Sequence, residues 1–192
     1  MKKKILCVIF AMSLSAACLA ACGDGKKDST SESKSESATA SDEVGLFTVT
    51  PTPPEEDISA VIKNLKEKML EADIELPVMS VVGTDSDGAD KLFEYLAVFD
   101  YSKVQGYFFA YAAEGTAEEV ALVRLCDEAD APALKKALEE HKKTRVAQFK
   151  QYKPEETELA ESAKIIDEDR YVLYIACKNP DKVKKAFTDS QK

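Results

Sequence analysis

Clustered carboxylates, one histidine and a run of aromatic rings are the residues of this chain whose types and spacing invite chemistry. Asp85-Ser86-Asp87-Gly88-Ala89-Asp90 brings three carboxylates into six residues, a density of hard oxygen ligands suited to Ca²⁺. An EF-hand loop needs glycine at its sixth position and glutamate at its twelfth; this stretch has glycine fourth and Leu96 twelfth. A solvated turn and helix cap is the expectation, and no metal is assigned. His141, the only histidine, shares a helical stripe with Leu134, Leu138, Arg145 and Phe149. Without partners that the sequence can place, it is expected at a helix edge by the sheet border rather than in proton transfer. Asp100 or Glu114 would serve a hydrolase only by converging in a cleft with shifted pKa values. No zinc motif, phosphate-cradling loop or nucleophile elbow accompanies them, so no catalytic residue and no cofactor is assigned.

Eight aromatic residues fall between Phe93 and Tyr111. Strand alternation sends Tyr107, Phe109 and Tyr111 to one sheet face and Phe108 and Ala110 to the other. Core packing is the expectation for these rings; if helices cover a single face, the alternative is an exposed recognition patch of Tyr107, Phe109 and Tyr111. The absence of tryptophan weakens a sugar-stacking platform. The last helix gathers Lys178, Lys182, Lys184, Lys185 and Lys192 into a basic face, for which a solvated surface is the expectation and contact with anionic wall polymer or lipid headgroups the alternative.

Five cysteines are present. Lys2, Lys3 and Lys4 precede an apolar run from Ile5 to Ala21, which is shorter than a spanning helix requires and is followed by polar residues, the pattern of a secretory signal peptide. The junction Leu19-Ala20-Ala21-Cys22 resembles the lipobox of bacterial lipoproteins. That resemblance implies a diacylglyceryl, palmitate-bearing thioether on Cys22 and cleavage before it, with two or more chains giving stable membrane residence. Cys7 and Cys18 would leave with the signal segment. Cys126 and Cys177 then remain, each at the end of an apolar run and expected as a small buried hydrophobe, with a disulfide between them as the alternative.

The chain has 192 residues with 26 Lys+Arg against 35 Asp+Glu, a net charge of -9, 45% hydrophobic and 32% charged residues. That length suits one modest domain, and the acidic balance argues against a nucleic-acid partner. The signal segment holds three of the lysines and no acid, so the remainder has 23 basic against 35 acidic side chains. Attraction to anionic lipid is therefore not what would anchor it.

Three parts follow: a lipoprotein signal peptide over 1–21, a lipidated cysteine with a Ser/Thr/Pro-rich tether over 22–54, and a single α+β domain over 55–192. Residues 23–43 lack aromatics and cannot bury enough surface to fold. Pro51, Pro53 and Pro54 favour an extended approach to the domain. As a coil the tether spans about 30 Å, with a stretched limit near 100 Å. The apolar patch Val44, Leu46, Phe47 and Val49 is open to docking on the domain or to pairing with a partner.

Within the domain, Ile58, Val61, Ile62, Leu65 and Met69 predict an amphipathic helix over 55–72. Leu76 to Val82 is a short strand or extended loop, and Ala89 to Val98 a short helix. Strands over 107–113 and 120–126 form a hairpin, and Asp130 with Pro132 opens a helix reaching Tyr152. A second hairpin over 163–167 and 171–177 precedes a final helix opened by Asn179-Pro180. The two ββα units predict an antiparallel sheet of about four strands with helices on one face.

Gly115-Thr116-Ala117-Glu118-Glu119-Val120-Ala121-Leu122, Phe149-Lys150-Gln151-Tyr152-Lys153-Pro154-Glu155-Glu156 and Tyr171 to Cys177, behind the lipobox and tether, resemble a family of small lipoproteins of Gram-positive, mostly clostridial, bacteria. The family is known as domain of unknown function four-three-five-eight, and the resemblance runs from Ile58 to Phe187. It implies an exported α+β domain and transfers no catalytic or binding residue. The expectation is a lipid-anchored module on the extracytoplasmic face of the cell membrane, non-catalytic and serving a membrane or wall protein partner. An exported hydrolase is the alternative.

Overall fold

The computed structural model describes residues 56–192, so the signal segment, Cys22, the tether and the Val44–Val49 patch lie outside the described residues. Ile58–Glu71 forms α1, capped where the Asp57 carboxylate accepts from the Ala60 N–H. It buries Ile62, Leu65 and Met69. Strand β1 (Met79–Gly83) and the one-turn α2 (Ala89–Phe93) follow. The hairpin β2 (Val104–Ala112) and β3 (Glu119–Leu125) leads into α3 (Ala131–Tyr152). After a short α4 (Thr157–Glu161), the hairpin β4 (Lys164–Glu168) and β5 (Tyr171–Ala176) leads into α5 (Pro180–Ser190). Among the described residues no helix is long and apolar enough to cross a membrane.

The α+β fold with its antiparallel sheet is as the sequence predicts, and two details differ. The sheet has five strands in the order β1-β2-β3-β5-β4, because Met79–Gly83 pairs with Phe108–Ala112. Helices cover both faces rather than one. Leu134 and Leu138 of α3 and Phe93 of α2 pack on Tyr107, Phe109, Val123, Val172 and Tyr174. On the reverse, α1 and α5 pack on Phe108, Leu122, Leu173 and Ile175, through Leu65, Met69, Val183 and Phe187. The physical reason lies in the strands. Every residue of β5 is buried, and β3 interrupts its apolar run only at Arg124. Strands without polar alternation need cover on both sides.

Sequential ββα units therefore deliver their helices to opposite layers. Polar contacts secure the outer elements. The buried Asp73 carboxylate, just beyond α1, accepts from Asn179 Nδ2 at 3.1 Å, with Lys182 Nζ 3.7 Å away. Lys135 of α3 pairs with Asp167 of β4, which holds that carboxyl below its usual range. Asp130 is the N-cap residue of α3 and Pro132 lies in its first turn, as the sequence predicts, but the Asp130 side chain makes no cap hydrogen bond. Asp127 caps a preceding 3-10 turn by accepting from the Ala129 N–H, whereas Asp130 is committed to Lys103 at 2.7 Å.

The two cysteines of the domain are free. Cys177 is buried as expected, while Cys126 is exposed. They follow the ends of β3 and β5, which run antiparallel with Glu119 opposite Ala176 and Arg124 opposite Tyr171. About six residues of strand thus separate them, roughly 20 Å, far beyond disulfide reach. Burial pushes the Cys177 thiol up to about 11. Maleimide labelling with peptide mapping is expected to modify Cys126 in the native protein and Cys177 only after unfolding; equal native labelling would contradict the packing of β5.

Gly83 shows how closely β1 approaches β2. A Cβ there would lie 2.8 Å from the Tyr107 carbonyl oxygen, a backbone atom that cannot rotate away. Gly83→Ala is expected to cost about 1–3 kcal/mol in urea unfolding, and an unchanged midpoint would show that β1 shifts freely.

Candidate functional site

The most developed concavity on the α3 face begins with a mismatch of lengths. Strand β2 runs nine residues while α2 makes little more than a turn, so the far half of β2 outlasts its cover. Phe109 and Tyr111, on one face by alternation, floor the opening with ring centroids 5.4 Å apart. Tyr95, after α2, forms the near wall and α3 the far wall. The cavity measures 530 Å³, in the range of small-molecule sites.

The far wall holds an ionic cluster. Residues 134, 138, 141, 145 and 149 fall at helical spacing on one stripe of α3. The stripe begins with buried Leu134 and Leu138 and ends at Phe149, with His141 and Arg145 between. Beneath them, Glu119 opens β3, its side chain only 4% exposed. His141 Nε2 lies 2.8 Å from Glu119 Oε2, and Arg145 Nε lies 2.7 Å from Oε1. One buried carboxylate is thus shared by two basic side chains, as burial demands. The imidazole is packed edge-on against Phe109 and Tyr174, with centroids at 5.9 and 5.2 Å. Arg145 stacks on Phe149 at 4.7 Å and donates through Nη1 to Gln148 Oε1 at 3.0 Å. Burial pushes the nearby Tyr174 phenol up, with the Glu119 charge adding to the effect.

This arrangement offers a ligand aromatic faces and one cation. Tyr95 and Tyr111 are accessible, and the Arg145 side chain retains 25% exposure. Apolar or ring-shaped ligand bodies can stack there while the guanidinium receives an acceptor group. The Thr144 hydroxyl on the same wall donates to the Glu140 carbonyl.

Of the three rings of the alternative aromatic patch, Phe109 and Tyr111 line this cleft. Tyr107 is fully buried instead, its hydroxyl donating to the Ala89 carbonyl at 2.7 Å, and its phenol is pushed up to about 12 by burial. The rings Phe93, Tyr101 and Tyr107 pack mutually edge-on or tilted, so α2 takes the beginning of β2 into the core.

His141 lies beneath α3 between two rings, and its partner Glu119 carried no sequence signal beyond a carboxylate at the start of an apolar run. Asp85 accepts from the Ser59 hydroxyl of α1 at 2.7 Å, and Gly88 adopts a positive φ of 70° before α2. Among the described residues no three His, Cys, Asp or Glu side chains converge on a metal-sized position. Asp100 accepts from the Ser102 hydroxyl and amide, which lower its pKa. It precedes β2, whereas Glu114 follows it, so the two lie at opposite ends of a strand roughly 30 Å long. They do not share a cleft. In the last helix, Lys185 and Lys192 pair with Asp189.

A family model described as a domain of unknown function (DUF4358) matches residues 82–177, from the end of β1 to the end of β5. No curated protein and no solved structure matches the chain.

Breaking the shared carboxylate cluster leaves the buried His141 ring and the Arg145 guanidinium without their common partner. Glu119→Ala is expected to lower unfolding free energy by about 3–5 kcal/mol in urea titration. Tyr95→Ala, at the exposed rim, is expected to change it by about 0.5 kcal/mol or less. Equal effects would mean that the cluster does not hold α3 to the sheet.

Proposed function

The chain belongs to the DUF4358 family, a domain of unknown function, and on that premise we propose that it is a lipid-anchored binding module on the extracytoplasmic face of the cell membrane. Cys22 carries the lipid, and the α2–α3 cleft takes a small ligand or an apolar side chain of a membrane or wall protein. The observation that carries the binding role is the cleft itself, where accessible Tyr95 and Tyr111 flank an Arg145 already oriented by Glu119. Orienting a cation on a buried carboxylate reduces the conformational cost of binding.

The anchor rests on the Leu19-Ala20-Ala21-Cys22 junction behind an apolar run. Two or more acyl chains would hold the domain at the membrane without help from its acidic surface. The hydrolase alternative loses its proposed carboxylate pair, since Asp100 and Glu114 sit at opposite ends of β2.

Metabolic labelling with an alkyne palmitate, followed by fractionation of producing cells, tests the anchor. Wild type is expected in the membrane fraction with label, and Cys22→Ala unlabelled and out of it; an unlabelled wild type in the soluble fraction would sink the proposal. Crosslinking on intact cells tests the binding role. A protein or small-molecule adduct recovered with wild type is expected to be lost in the rim double variant Tyr95→Ala/Tyr111→Ala. Retention of every adduct would place recognition elsewhere.

A further inference from the structure

Glu118 and Glu119 are consecutive, and strand alternation sends them to opposite faces of the sheet. Glu119 receives two basic partners from α3. Glu118 is 8% exposed, and its Oε2 has no hydrogen-bond partner among the described residues. A carboxylate this deeply buried is almost always paired. Glu118 lines a second cleft of 720 Å³, at the end of the sheet where the α1–β1, α3–β4 and β5–α5 connections meet.

That cleft is built for positive charge. Glu75, Glu155, Glu156 and Glu158 contribute to its lining, and the Thr116 hydroxyl, also in the lining, is a second buried oxygen without a partner among the described residues. Glu156 is fixed in place by accepting from the Ala117 N–H at 3.1 Å. The cleft's lysines leave Glu118 unpaired: Lys164 is bound to Asp181 at 2.8 Å, and among the described residues no ion pair joins Lys178 to a carboxylate. The donor set separates the two kinds of cation. A hard metal ion wants several converging carboxylates or carbonyls, and no three His, Cys, Asp or Glu side chains converge among the described residues. An ammonium group needs three acceptors of any kind, hydroxyls included.

We propose that Glu118 anchors a binding site for a primary ammonium group, with Thr116 as a second acceptor and the surrounding glutamates drawing the amine in. The ligand is a small linear amine whose ammonium end enters beside Glu118 while the rest lies along the open acidic cleft. This site is separate from the α2–α3 cleft and stands whether or not that cleft binds anything.

Differential scanning calorimetry of the full chain, at matched ionic strength, tests it with cadaverine as probe, its neutral analogue pentanediol as control, and calcium chloride as the metal arm. Cadaverine is expected to raise the wild-type Tm saturably while pentanediol does not. Glu118→Gln is expected to weaken the apparent affinity about tenfold or more, while Glu128→Gln, on the exposed turn before α3, leaves it unchanged. Equal stabilisation of wild type and Glu118→Gln would overturn the proposal, as would no stabilisation at all. Stabilisation by calcium rather than cadaverine, lost in Glu118→Gln, would replace the ammonium with a metal ion and overturn the assignment. Should Glu118→Gln fold too poorly to compare, amide NMR of the wild type decides. Cadaverine-induced shifts confined to the Thr116–Glu118 segment and its cleft neighbours support the site, and their absence refutes it.

Discussion

Burying one sheet on both of its faces is the constraint from which the rest of this molecule follows. Leu122 and Val123 of β3, like Leu173 and Val172 of β5, face opposite layers and are all fully buried. No single helical layer can satisfy such strands. With α3 committed to one side, α5 must take the other, and α1 joins it there through Leu65 and Met69. The edge strands then differ from the centre. β1 and β4 have partly exposed residues along their length, because each pairs with a neighbour on one side only.

The same constraint decides the fate of two adjacent acids. Glu118, the residue before β3, and Glu119, its first residue, are sent into opposite layers by alternation. On the α3 side the helix is long enough to bring His141 and Arg145 over Glu119. On the other side α5 and its N-cap deliver Lys182 and Asn179, but these serve Asp73. One layer closes its charge internally, and the other leaves the buried Glu118 Oε2, at the wall of a cleft, without a partner among the described residues. The asymmetry arises from which helix ends fall near the start of β3.

Much of this architecture was legible in the sequence because local signals agreed with tertiary need. The hairpin at Glu114-Gly115-Thr116, the proline-opened helices and the run Tyr171–Cys177 each combine turn or cap chemistry with an apolar pattern. What escaped was set by partners distant in the chain. Continuous apolar runs said that β3 and β5 were buried, yet their meaning for helix placement needed the strand order. Tyr107 and Tyr111 are indistinguishable by alternation; only the brevity of α2 puts one in the core and the other on a rim. Likewise His141 showed its stripe but not its partner, since Glu119 lies 22 residues earlier, and the opposite environments of Cys126 and Cys177 follow from antiparallel pairing rather than from their similar flanking runs.

Where the described chain enters the domain gives both clefts a common orientation. Arg124, near the end of β3, pairs with Glu56 at 2.5 Å and stacks over Tyr171 at 5.4 Å, so the chain arrives at the end of β3 next to the β4–β5 turn. Glu118 and Glu119 stand at the opposite end of that strand, roughly 20 Å away. The Arg124–Glu56 contact thus fixes the start of the described chain at the end of β3 remote from Glu118 and Glu119, and leaves their end of the sheet to the two clefts.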